Sequence, residues 1–150
     1  MIQDIDMQAV LHESVPGLYA DLVTRPTGRV VRERIERAIG GGEHGGRRDV
    51  AVARMDFQGV GCMDYSCADE IVAKLLRQPT VVVLSGLREG HREAIEPVLA
   101  GHGLAVLVEA PDGTLDVLGA PAAAAALLDE LVARRLAART PGGTFALTAA

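Results

Sequence analysis

The chain has 150 residues, a formal net charge of −5 and 49% hydrophobic residues, with two Phe, two Tyr and no Trp. Such a length suits one domain with a core of Val, Leu, Ile and Ala that buries roughly two-thirds of its unfolded surface. The acidic balance argues against a surface given over to nucleic acid, no apolar run approaches the roughly 20 residues of a membrane span, and Met1-Ile2-Gln3-Asp4 lacks the regions of a signal peptide.

Residues 1–13 have no clear period and read as a lead-in, either mobile or helical. Val15 to Val23 alternates weakly and is expected as an edge strand, ending at Thr24-Arg25-Pro26, where the residue before proline is driven to extended backbone. A helix is predicted from near Thr27, with Val31, Ile35, Ala38 and Ile39 on one face and Arg29, Arg32, Glu33, Glu36 and Arg37 on the other. Glu33 and Arg37 are expected to pair at i,i+4, and Gly40-Gly41-Gly42 to close the helix. Between Arg25 and Arg48 there are seven Arg and three Glu, an excess of four positive charges. Arg25, Arg29, Arg32 and Arg37 form a candidate basic patch for docking an acidic partner. The run Gly40 to Gly46 with Arg47 and Arg48 leaves a helix and enters a strand, the reverse of a phosphate loop, and lacks the Lys-Ser/Thr ending; it reads as a linker.

Val50 to Phe57 is mostly apolar and predicts a buried strand, which the polar run Asp64, Tyr65, Ser66 follows before a helical pattern begins at Ala68, Ile71, Val72, Leu75 and Leu76. Ser66 with Asp69 three residues later resembles a capping box, and the acid suits the positive end of the helix. The turn is expected at the carboxyl end of a sheet strand, where open α/β sheets expose their sites. Cys67 is expected at the first helical position, where the dipole lowers a thiol pKa, although cysteine is more often simply buried. The spacing of Cys62 and Cys67 is not C-x-x-C, two cysteines make no disulfide framework, and no histidine lies close in sequence, so no catalytic residue is assigned.

Thr80 to Leu84 and Leu104 to Val108 read as further strands, separated by a helix over Arg88 to Ala100 with Ala94, Ile95, Val98 and Leu99 inward. Strands alternating with helices imply right-handed crossovers and a largely parallel sheet. Beyond Ala110, Asp112-Gly113 signals a hairpin into Leu115 to Leu118, and Pro121 opens an Ala-rich helix with Leu127, Leu128, Leu131 and Val132 inward. Pro141-Gly142-Gly143 then turns into Thr144 to Leu147. LLDELVARRLAARTPGGTFALT resembles the last helix and wing of a winged-helix domain, without the two helices that would precede them. His12, His44, His91 and His102 are scattered, and neither a metal site nor a cofactor is expected.

MDFQGVGCMDYSCADE, Met55 to Glu70, resembles the central motif of STAS domains, the anti-sigma-factor antagonists, roughly D-h-S-x-V-x-h-h-D-S-[ST]-G with h apolar. It is closer still to a STAS-like family of unknown function that favours an S-F-A-D-E-L helix start, where this chain has Ser66-Cys67-Ala68-Asp69-Glu70-Ile71. The resemblance covers Val15 to Glu109. It implies an α/β fold with a STAS-like mixed, mostly parallel sheet packed with helices over residues 14–110, following the lead-in 1–13. A C-terminal strand–helix–strand extension over 111–150 is expected to pack on the same domain. The resemblance also implies a non-enzymatic regulatory module that docks a protein partner, such as a GHKL-type ATPase (an anti-sigma factor or sensor kinase), through Asp64, Tyr65, Ser66, Asp69 and the helix after them. In the classical family the residue after the second Asp is a serine phosphorylated by a partner kinase. Tyr65 holds that position here, Ser66 is the nearest hydroxyl, and Cys67 replaces a glycine, so Ser66 and Tyr65 are the candidate phosphoacceptors and binding is favoured over phosphorylation. The alternative is a nucleic-acid-associated transcriptional regulator using the Arg25 to Arg48 patch and the C-terminal helix and hairpin. Fourteen Arg against the single Lys74 suggest a GC-rich bacterial genome, and the cytoplasm is the expected compartment.

Overall fold

Four strands end alike, each on a polar residue, and lie side by side in chain order, all parallel: β1 (Ile2–Asp6), β2 (Val52–Asp56), β3 (Val81–Ser85) and β4 (Ala105–Glu109). The computed structural model describes residues 2–15, 20–40 and 52–148. β5 (Thr114–Gly119) returns antiparallel to β4 through a turn where Gly113 takes φ +86°. A final hairpin, β6 (Ala137–Arg139) and β7 (Phe145–Leu147), completes a mixed seven-stranded sheet of order β1-β2-β3-β4-β5-β7-β6. Among the described residues five helices join these strands: α1 (Met7–Ser14), α2 (Arg25–Gly40), α3 (Tyr65–Ala68), α4 (Glu89–His102) and α5 (Pro121–Ala133). α3 runs directly into a π turn over Asp69–Ala73. Among the described residues no helix is long and apolar enough to cross a membrane.

The two faces of the sheet follow from strand alternation. Ile5, Ala53, Met55, Val82, Leu84, Val106 and Val108 point to one side, where Met7 and Leu11 of α1, Val31 and Ile35 of α2, Ile71 and Val72 of the π turn, and Ile95, Val98 and Leu99 of α4 close the main core. Val52, Val83, Leu107 and Leu115 point to the other, against Leu131 of α5 and Ala137 of β6. Each fully buried aliphatic side chain contributes about 1.5–3 kcal/mol, so this aliphatic core needs no large aromatic centre beyond Phe57.

Several sequence expectations change. Residues 2–13, expected as a lead-in, form β1 and most of α1, with Met7 and Leu11 fully buried. The edge position expected for Val15 to Val23 belongs to β1; around it, Leu22 makes a single parallel bridge with Met63, and residues 16–19 lie outside the described ones. α2 begins at Arg25 rather than near Thr27, because the fixed φ of Pro26 suits a first helical turn and its missing N–H is not needed there. Its i,i+4 ion pair is Arg32 with Glu36, not Glu33 with Arg37. The glycine run expected to close it lies outside the described residues beyond Gly40. Val132 is 44% exposed instead of inward, since it lies about 100° around α5 from the buried Leu131. The C-terminal extension is strand, helix and a two-stranded hairpin, and the wing-like hairpin is part of the sheet.

One close approach sets the position of α2. Gly28 is buried against α3 and the π turn, and a Cβ there would lie 3.1 Å from Cys67 Cα, 3.1 Å from Glu70 Cβ and 3.2 Å from Cys67 Sγ. Gly28→Val is expected to destabilise the fold by about 1–3 kcal/mol through overpacking, read as a lower midpoint in urea with unchanged slope.

Candidate functional site

The first turn of α3 is organised by Asp64. Its backbone is extended and its Oδ1 accepts the N–H of Cys67 at 2.8 Å, so Asp64 and not Ser66 is the N-cap. Ser66 lies inside the helix, where its hydroxyl donates to Asp64 Oδ1 at 2.8 Å, and the expected Ser66–Asp69 capping box does not form. Asp64 Oδ2 accepts the N–H of Thr24 at 2.9 Å, which ties the start of α2 to the start of α3. Burial would raise the Asp64 carboxyl, but the N–H groups of Cys67 and Thr24 and the Ser66 hydroxyl outweigh it and hold the pKa below the ordinary aspartate value. Cys67 is the third helical residue rather than the first. Burial, and then the nearby Asp64 charge, push its thiol up to about 12, and Sγ donates to the carbonyl of Thr24 at 3.1 Å. It is a packed thiol, the reverse of the dipole-activated one.

Tyr65 points away from this arrangement and is 52% exposed. Asp69 faces α2 and α4: Arg25 Nη1 lies at 2.8 Å from its Oδ2 and His102 Nε2 at 2.9 Å from its Oδ1, and the Arg25 hydrogen bond foremost holds its carboxyl low. Of the four docking residues, Asp64, Ser66 and Asp69 are thus engaged within the chain, and Tyr65 is free to meet a partner.

The basic patch is also divided. Glu70 is 1% exposed and is met by Arg25 Nη1 at 3.2 Å, Arg32 Nε at 3.5 Å and Lys74 Nζ at 3.0 Å. Burial would raise this carboxyl, but Lys74, Arg25 and Arg32 together carry it below the ordinary glutamate value. Hydrogen bonds to Asp69 foremost, and then to Glu70, raise the pKa of Arg25. Arg25 and Arg32 therefore tie α2 to the π turn, while Arg29 and Arg37 face solvent. Arg47 and Arg48 lie outside the described residues.

Two further features emerge only from the folded arrangement. The parallel register sets Asp6, Asp56, Ser85 and Glu109 in one row across the carboxyl ends of β1–β4, above Arg54, whose Nε is 3.4 Å from both Asp4 and Glu109. Together these residues line a cavity of about 370 Å³ on the sheet face away from α1–α4. The signal was present, since each strand ends in a polar residue, but it requires the strand register to be seen. A larger cavity, about 560 Å³, lies between the loop after β2 and the start of α4, lined by Asp21, Gly61, Cys62, Met63, Arg88 and His91 among others. His91 is buried there: its Nδ1 accepts the Arg88 N–H at 3.1 Å, so the proton is on Nε2, which donates to Gly61 O at 2.8 Å. Among the described residues no group of three His, Cys, Asp or Glu is placed to hold a metal ion.

The sequence matches no family model, and no curated protein or solved structure matches it either.

Asp64→Ala is expected to lower stability by about 1–2 kcal/mol, since it removes the cap and the tether to Thr24. Glu70→Gln is expected to remove about 2–3 kcal/mol at neutral pH. Because the folded pKa of Glu70 is depressed, its contribution is present above the unfolded value of about 4.3 and is lost as pH falls through the folded one. Urea melts from pH 7 to pH 3 should therefore show the two proteins converging on the acid side.

Proposed function

We propose that this chain is a STAS-like, non-enzymatic regulatory module that binds a protein partner through the first turn of α3. Its motif, Met55 to Glu70, carries the resemblance, and the parallel sheet with helices between its strands is the kind of fold the resemblance implies. The observation that supports this most directly is Tyr65, half exposed on a turn whose neighbours are all held by internal hydrogen bonds and ion pairs. A tyrosine fixed in this way presents a large amphipathic surface at little cost in side-chain order, which is the character of a binding hot spot. By the same analogy the partner is a GHKL-type ATPase, an anti-sigma factor or a sensor kinase.

Binding, rather than phosphorylation, fits the Ser66 hydroxyl. A phosphoryl group on Ser66 would set a dianion against Asp64 and dismantle the cap, whereas the Tyr65 hydroxyl lies on an exposed side chain. The nucleic-acid alternative is weakened because two of the four patch arginines, Arg25 and Arg32, are held by Asp69 and Glu70.

The test is calorimetric titration against the GHKL-type ATPases encoded in the same genome. Tyr65→Ala should weaken binding by about 30-fold or more while leaving the thermal midpoint unchanged. If the parent chain binds none of them, or if Tyr65→Ala binds as tightly as the parent, the reading fails.

A further inference from the structure

Thr24 has a left-handed backbone, with φ at +70°. A branched β carbon crowds the adjoining carbonyl in that region, so threonine adopts the conformation rarely. Arg135, at φ +61°, is the other non-glycine residue of this kind among the described ones. It follows the end of α5, where a left-handed residue is the ordinary way to close a helix. Thr24 instead precedes a helix. At the four other helix starts among the described residues the corresponding residue, Asp6, Asp64, Arg88 or Ala120, is extended.

The hydrogen bonds around Thr24 hold it in this form. Its N–H donates to Asp64 Oδ2 at 2.9 Å, while its carbonyl accepts the Gly28 N–H at 3.2 Å and the Cys67 thiol at 3.1 Å. Both ends of one residue thus face the first turn of α3, and that turn sets its dihedral angles. The chain is fastened on either side as well. Leu22 exchanges two backbone hydrogen bonds with the segment Cys62 to Asp64, at 2.8 and 3.0 Å, and Arg25 meets Asp69 at 2.8 Å. The Thr24 hydroxyl donates to Thr27 Oγ1 at 3.2 Å rather than accepting a helix N–H, so the side chain does little to hold the conformation. A strained residue persists only where its surroundings over-determine it, and such residues gather at binding sites and switches.

We propose that Thr24 is a strained latch through which the first turns of α2 and α3 open and close together. Closed, Asp64 and Cys67 hold Thr24 left-handed. Open, the Thr24 N–H leaves Asp64, the backbone relaxes to the extended form found at the other helix starts, and the contacts with Cys67 and Gly28 part with it. The strain exists only in the closed arrangement, so it makes opening easier than these hydrogen bonds alone would allow. A ligand or partner that favours one arrangement at either helix start therefore shifts the other. On the reading that Tyr65 docks a partner, binding at α3 is linked in this way to the start of α2; the latch itself does not depend on that reading.

Amide hydrogen exchange of the full chain, followed by NMR with no partner present, tests the latch. The amides of Thr24, Gly28 and Cys67 should exchange through one opening, with a common protection factor, and well ahead of those of Val83 and Leu107 in the middle of the sheet. Thr24→Asn and Thr24→Gly accept a left-handed φ. They should slow all three amides by about 3- to 10-fold and about 2- to 5-fold respectively, the second by less because glycine gains freedom on opening. Thr24→Val keeps the branched β carbon without the hydroxyl and should not slow them. Unrelated protection factors at the three amides of the parent, failure of Thr24→Asn or of Thr24→Gly to slow them, or equal slowing by Thr24→Val would each overturn the proposal. Either result leaves docking through Tyr65 to its own titration, since exchange is read without a partner.

Discussion

A carboxylate withdrawn from water costs several kcal/mol unless opposite charges accompany it. Glu70 meets that condition through Arg25 and Arg32 of α2 and Lys74 one turn further along its own helix. Two of the three cations lie on α2, so that helix cannot move away without leaving a buried charge uncompensated. Gly28 lies between them in the chain, and its missing side chain is what lets α2 come close enough for both arginines to reach. The π turn contributes as well: it buries Glu70, Ile71, Val72 and Ala73 in succession while Asp69 and Glu70, adjacent in sequence, share one nitrogen of Arg25.

The rest of the site follows from that clamp. With α2 fixed, the Thr24 N–H is available to Asp64, and Asp64 in turn caps α3 and holds Ser66. A patch that reads as four outward arginines in sequence becomes two structural cations and two solvated ones. The acidic motif residues likewise become internal partners, which leaves an aromatic ring as the distinctive exposed group.

Helix periodicity and apolar runs made much of this fold legible in the sequence. The strands β2, β3 and β4, the helix α4, the Asp112-Gly113 turn and the start of α5 at Pro121 follow from local pattern and turn chemistry. β1 did not, because IQDID has only two apolar residues and is a strand by virtue of its pairing with β2 across some 50 residues. Local pattern places the cap two residues late, because Ser66 and Asp64 are both good capping residues and only the approach of Thr24 distinguishes them. The burial of Glu70 and the polar row across the strand ends depend on packing and register, which no local window contains.

The order of strands in the sheet bears on how the chain acquires its structure. From β2 to β5, each strand pairs with the one made immediately before it, and the crossovers between the parallel ones are single helices. A chain emerging from the ribosome can therefore extend one growing edge in the order of synthesis, with little need to hold early segments waiting for late ones. β1 and the last hairpin depart from that rule. β1 has no partner until residue 52 has emerged, and β6 is made before β7, the strand that will separate it from β5. β1 is thus the strand that waits longest for its partner, and β5 holds its free edge open until β7 has emerged.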